Sequence, residues 1–263
     1  MESRIQINKQ TSPIIATALH DGHYIPSAFH PYLLLEDHER MREEDPYTAY
    51  IADLPINSVV AGHSRFLTDL NRPKDKCIYK TPDDAWGLQV WKEPLPTALE
   101  KRLLAYYDLF YRKFELLLKE TIAIHGAFVV LDIHSYNYKR KGVQQEASSA
   151  RKNPEINIGT AHNAPHWQDL IHRFTDFLAH TTIHGHTPDV RENIKFKGGE
   201  FSNWIYQHYG HYGCTLSIEF KKTFMDEWTG RVDIKHLHDI HDALNSSIPL
   251  LSAELAKYKP TTL

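Results

Sequence analysis

Three short apolar runs limit what this chain can fold into. Pro13-Ile14-Ile15-Ala16-Thr17-Ala18-Leu19, Ala127-Phe128-Val129-Val130-Leu131-Asp132-Ile133 and Cys214-Thr215-Leu216-Ser217-Ile218-Glu219-Phe220 are rich in aliphatic and β-branched residues and too short for core-spanning helices. They predict buried strands. Between them lie helical patterns. Over Leu99 to His125, the residues Leu103, Leu104, Tyr107, Phe110, Tyr111, Phe114 and Leu118 recur at helical spacing, and Gly126 supplies a stop. Trp167 to His180 and Ile234 to Leu255 are amphipathic in the same way, with Gly199 to Tyr209 as a shorter candidate. This alternation predicts a three-layer α/β fold. Segments Asp45 to Pro55, Asn71 to Pro96 and Tyr136 to Pro154 are polar or rich in Pro, Gly and Ser, and read as long loops that shape a site.

Composition then narrows the function. With 263 residues, 41% of them hydrophobic, the chain can build one sizeable core, and a single domain over residues 1–263 is expected. A net charge of -3 gives no basic field for a phosphate backbone, which argues against nucleic acid and for a small substrate. Cys77 and Cys214 lack CxxC spacing, so neither a disulfide framework nor a cysteine zinc site is expected. MESRIQINKQ is polar and no run approaches the roughly 20 apolar residues of a membrane span. The expectation is a soluble, cytoplasmic protein without a membrane partner; oligomeric state is not readable.

The chemistry gathers at strand ends, where open α/β sheets carry their sites. ALHDGHYIP follows the first run and sets His20 and His23 three positions apart around Gly22. Alone, this is either a metal site or two surface histidines. His134 ends the strand VVLDIHS, on one face with Asp132, as expected of a carboxylate that orients a metal ligand; Asp69 is assigned the same supporting role. Three protein ligands with one open position describe a catalytic zinc site, and His20, His23 and His134 can supply them. Glu219, in LSIEFKK, is the candidate general base, because a charge near the end of an apolar strand is costly unless paired or used. A salt bridge with Lys221 or Lys222 is the structural alternative. In SRFLTDLNRP, Arg65 and Arg72 suit an anionic substrate with a carboxylate, although Arg72 paired with Asp69 or Asp75 would merely order the loop.

HDGHYIP, SRFLTDLNRP, LDIHS, KFKGGEF and LSIEFKKTFMDE, in this order from His20 to Glu227, resemble the N-formylglutamate amidohydrolase family, also called N-formylglutamate deformylase. The skeleton is similar to that of zinc carboxypeptidases and aspartoacylase. The resemblance implies a three-layer α/β/α, phosphorylase/hydrolase-like fold with a central mixed sheet. It implies one zinc ion on His20, His23 and His134, Glu219 activating water, and Arg65 polarising the scissile carbonyl. Asn71 and Arg72 would grip a substrate carboxylate, with Lys197, Gly198 and Gly199 close to the substrate. The implied reaction is N-formyl-L-glutamate plus water to formate and L-glutamate, within histidine catabolism. Alternatives are a zinc carboxypeptidase, a deacylase for another N-acyl amino acid, or a non-catalytic binding protein of the same fold. The related families carry glutamate where this chain has His23, and Asp21 is the alternative ligand.

Overall fold

The chain runs β1 (Ile5–Asn8), β2 (Ile14–Ala18), α1 (Asp37–Glu43), α2 (Thr48–Ile51), β3 (Asn57–Ala61), α3 (Thr97–His125) and β4 (Phe128–Tyr136). It continues through β5 (Ile156–Gly159), α4 (Gln168–Ala179), β6 (Val190–Glu192), α5 (Glu200–Tyr209), β7 (Gly213–Lys221) and α6 (Ile234–Leu255). The structure is a computed structural model that describes residues 3–142 and 149–258. Its seven-stranded sheet has the order β1-β3-β2-β4-β7-β5-β6. The centre is parallel, with β2 beside β4 and β4 beside β7, whereas β1 with β3 and β5 with β7 are antiparallel. The sheet is therefore mixed.

All nine residues of β4 are buried, which explains its continuous apolar run: both faces are covered. Alternation divides the strands between two cores. Ile15, Phe128 and Val130 face Phe110 and Phe114 of α3 and Phe201 of α5. Ile14, Val129, Leu131, Leu216 and Ile218 face Phe174 of α4 and Leu244 of α6. Helices cover both faces, giving the α/β/α layering. Asp132 and His134 share the face of Val130, and Ser217 and Glu219 take the face opposite to Leu216 and Ile218. Strand parity thus turns all four toward the α3 side of the sheet.

The three predicted strands and four predicted helices all occur, with ends shifted by a few residues. Gly126, at φ 76, closes α3 as its position suggested. The short strands β1, β3, β5 and β6 carried no comparable apolar run. Two expected loops are partly ordered: α2 lies within Asp45 to Pro55, and Tyr136 completes β4. Within the expected loop Tyr136 to Pro154, positions 143–148 lie outside the described residues. Among the described residues, no helix is long and apolar enough to cross a membrane.

Candidate metal centre and its pocket

His20 lies two residues past β2, His134 lies on β4, and Asp45 lies between α1 and α2. The backbone fixes Asp45 beside the first histidine, since Asp45 N–H donates to His20 O at 2.9 Å while Thr48 Oγ1 donates to Asp45 O at 2.6 Å. Asp45 Oδ2 is then 3.4 Å from His20 Nδ1 and 3.2 Å from His134 Nδ1. The far nitrogen of each ring meets another carboxylate. His20 Nε2 donates to Asp69 Oδ1 at 2.8 Å, and His134 Nε2 lies 3.0 Å from Asp132 Oδ2. All five side chains are buried.

This arrangement has an electrostatic consequence. With its Nε2 proton directed at Asp69, a neutral His20 presents a lone pair at Nδ1, which is buried and has no hydrogen-bond partner. That lone pair faces Asp45 Oδ2, to which His134 Nδ1 donates. A lone pair and a carboxylate oxygen facing each other repel unless a proton or a cation lies between them. The donor atoms of His20, Asp45 and His134 all lie within 4.8 Å of one another, so the group fits a metal ion. Carboxylates behind the imidazoles fix the ring orientation that such a site needs. Burial alone would raise the Asp45 carboxyl, but the hydrogen bond from His134 and the adjacent His20 imidazole hold it well below the usual range. Burial would lower His134, yet Asp132 and then Asp45 hold it well above its ordinary value. A metal must displace that proton, so its binding weakens as pH falls.

Glu219 stands directly across from His134 in the parallel β4–β7 register. Neither neighbouring lysine pairs with it: Lys221 Nζ donates to Asn153 O at 3.1 Å, and Lys222 Nζ donates to Arg42 O and Glu44 O at 2.7 Å each. Burial pushes the Glu219 carboxyl up to about 7, an effect that His134 opposes. A carboxylate with this proton affinity and no hydrogen-bond or ion-pair partner among the described residues is suited to proton transfer near neutral pH.

Asp69 organises the opposite wall. Its Oδ1 accepts from His20 Nε2 and from Asn71 N, and its Oδ2 accepts from Arg65 Nη2 at 2.8 Å and from Tyr79 Oη. Burial opposes ionisation of Asp69, but Arg65 and His20 hold its carboxyl well below the usual range. Arg65 also donates to Glu43 O and Tyr79 Oη, both at 3.3 Å, and its Nη1 lies 3.9 Å from Asp45 Oδ1; two of its five N–H groups have no hydrogen-bond partner among the described residues. A cavity of about 370 Å³ opens over these groups, and its walls include Arg65, Arg72, Trp86, Lys195, Lys197 and Glu219.

A family model described as N-formylglutamate amidohydrolase matches residues 12–225. The chain belongs to that family. Among solved structures, the N-formylglutamate amidohydrolase from Ralstonia eutropha JMP134 aligns with a TM-score of 0.71 and 17% identity, covering 97% of this chain and 98% of its own. A gene product of Agrobacterium tumefaciens aligns with a TM-score of 0.66 and 16% identity, covering 95% of each chain. At these identities the likeness is one of fold. The search of curated proteins found no match.

Within this N-formylglutamate amidohydrolase fold, the second ligand expected from the sequence is placed elsewhere. His23 Nδ1 donates to Glu44 Oε2 and its Nε2 accepts from Arg40 Nη2 at 3.2 Å, so both ring nitrogens are occupied by protein. Gly22 has no left-handed backbone; a Cβ there would lie 2.4 Å from Ala61 O, so glycine permits close packing against the end of β3 and does not aim two imidazoles together. Asp21, the alternative, uses Oδ1 to accept from Ala49 N at 2.9 Å. The sequence offered little to single out Asp45, which sits in a polar stretch after two glutamates with no periodic signal.

The glycine pair serves close approach as well, but toward Asn71. A Cβ on Gly199 would lie 2.2 Å from Asn71 Oδ1, and Gly198 adopts φ +112. Asn71 Oδ1 accepts from Phe201 N at 3.0 Å, leaving the side-chain amide N–H groups toward His134, whose Nε2 is 3.4 Å away. Arg72 is partly exposed at the pocket wall. Its Nη2 donates to Asp84 O at 3.2 Å, and its Nε lies 4.0 Å from Asp69; the rest of its fork has no hydrogen-bond partner among the described residues. Trp86, which the sequence did not flag, stacks over Arg65 at 4.8 Å.

Proposed function

We propose that the protein is a zinc-dependent amidohydrolase that converts N-formyl-L-glutamate and water to formate and L-glutamate, with His20, Asp45 and His134 as the zinc ligands. The observation that carries this reading is the convergence of two imidazole nitrogens and one carboxylate beside an unpaired Glu219, in a pocket with basic walls. Family membership supports amide chemistry. Two histidines and a carboxylate are an ordinary zinc donor set that leaves room for reactants. When bound, zinc supplies Lewis acidity, making water a stronger acid and the formyl carbonyl a better electrophile.

The residues of the chain do the rest. Glu219 takes a proton from the attacking water at its carboxylate oxygen and returns it to the amide nitrogen as the C–N bond breaks. The free N–H groups of Arg65 stabilise the charge that grows on the carbonyl oxygen. Arg72 and Asn71 bind a substrate carboxylate, bordered by Lys197, Gly198 and Gly199. Asp69 and Asp132 hold the two imidazoles in position. On this reading residues 1–263 work as one domain, and family membership brings the expectation of a cytoplasmic enzyme of histidine catabolism.

Comparison of N-formyl-L-glutamate, N-acetyl-L-glutamate and a peptide ending in glutamate tests the reading. Formate release from the first is expected to exceed turnover of the other two by about 100-fold in kcat/KM, the scale of discrimination that fit to the acyl group supplies. Faster cleavage of the peptide or the acetyl compound would assign the protein to the carboxypeptidase or deacylase alternative. No turnover of any of them would favour a binding protein.

A further inference from the structure

N-formyl-L-glutamate carries two carboxylates, and the pocket has a basic residue not yet accounted for. Lys195 lies after β6 in the cavity wall. Its ammonium donates to Asn153 Oδ1 and lies 4.8 Å from the centre of the Tyr136 ring. These partners are neutral, and no carboxylate of a described residue forms an ion pair with Lys195. An ammonium has three donors, so those not used by Asn153 remain for a ligand. The nearby Arg140 differs, because its Nη1 and Nη2 bind the two oxygens of Glu43 at 3.1 and 3.0 Å. Burial, and next the charge of Arg140, lower the proton affinity of Lys195 against the weaker pull of the Glu219 and Glu227 carboxylates, neither of which is within ion-pair distance. An anion in this wall would relieve both costs.

The backbone that carries Lys195 is pinned. Asn157 Oδ1 accepts from Ile194 N at 3.1 Å and Lys195 N at 2.8 Å, while Asn157 Nδ2 donates to Phe196 O at 2.8 Å. Asn157 is itself the cross-strand partner of Glu219 in the β5–β7 register. The same residue therefore fixes the lysine segment relative to the general base. Such coupling between a binding cation and the reacting centre is what a specificity subsite requires.

We infer that Lys195, supported by Asn153 and Tyr136, forms a second anion subsite that takes the side-chain carboxylate of a dianionic substrate while Arg72 and Asn71 take the other. This rests on the amidohydrolase reading, which it extends to the choice of amino acid. Lys195→Met and Lys195→Arg, each checked for an unchanged Tm, are assayed with N-formyl-L-glutamate and with N-formyl-L-glutamine, whose side chain is neutral. Lys195→Met is expected to raise KM for the glutamate compound about 10- to 100-fold, the range of a hydrogen bond to a charged group, with little change in kcat. KM for the glutamine compound stays near the wild-type value, and Lys195→Arg keeps the preference for glutamate. Equal effects on both substrates, or none, would overturn the subsite. Calorimetric titration of wild type and Lys195→Met with glutarate and butyrate separates this failure from failure of the function. Wild type that hydrolyses neither substrate, yet prefers glutarate through Lys195, would retain the subsite and lose the amidohydrolase reading; no preference for glutarate would count against the subsite.

Discussion

Asp45→Ala is expected to empty the metal site and to lower kcat/KM by about 1,000-fold or more, in the range seen when a group central to transition-state stabilisation is lost. Both Nδ1 nitrogens approach Asp45 Oδ2, at 3.4 and 3.2 Å. Removing it leaves two buried imidazoles with no anionic ligand between them. It also removes the partner that helps hold His134 protonated in the metal-free protein. The informative comparison is His23→Ala. Since both nitrogens of His23 are bound to Glu44 and Arg40, that substitution is expected to cost about 1–3 kcal/mol of stability while zinc content stays at the wild-type level. Elemental analysis of both variants after gel filtration provides the check. Zinc lost from His23→Ala and retained in Asp45→Ala would restore the ligand set expected from the sequence.

Glu219→Gln separates chemistry from metal binding. The glutamine keeps the shape but cannot accept and return a proton, so kcat should fall by about 100- to 10,000-fold, the usual contribution of a general base, with zinc content unchanged. Stability should move the other way. The folded-state carboxyl is raised from its ordinary value of 4.5 to about 7, so the charge on this half-buried, desolvated group costs stability. That cost is absent below the unfolded value, grows between the two values and is fully present above about pH 7. Metal-free Glu219→Gln is therefore expected to be more stable than metal-free wild type at pH 8, by on the order of 2 kcal/mol, with the difference disappearing near pH 4. Thermal denaturation at the two pH values reads this directly. A lower Tm for the variant at pH 8 would mean that Glu219 is a structural ion-pair partner and not a base held ready.

The central strands could be read from the sequence because burial on both faces demands continuous apolar runs, and β2, β4 and β7 have them. Period-two alternation also placed Asp132 beside His134 correctly, since both lie within one regular strand. The edges were harder. β1 and β6 are short and only partly buried, so little apolar patterning is required of them. The cluster of His20, Asp45 and His134 was partly readable for a similar reason. His20 and His134 stand at or near the ends of regular strands, whereas Asp45 reaches them through irregular backbone tied to His20 O, a long-range contact that leaves no periodic trace. The HxxH spacing pointed to His23, but spacing does not reveal that Glu44 and Arg40 already occupy its nitrogens. Lys195 was hidden in KFKGGEF because an unpaired lysine in a pocket wall looks, in sequence, like any solvated one.

On the proposed function, a metal held by His20, Asp45 and His134 drives formyl hydrolysis. This is tested most directly by measuring bound zinc in the purified protein together with formate release from N-formyl-L-glutamate before chelation, after chelation and after zinc is restored. About one zinc per chain is expected, with activity lost when the metal is removed and recovered on its return. Full activity in protein stripped of metal would contradict it.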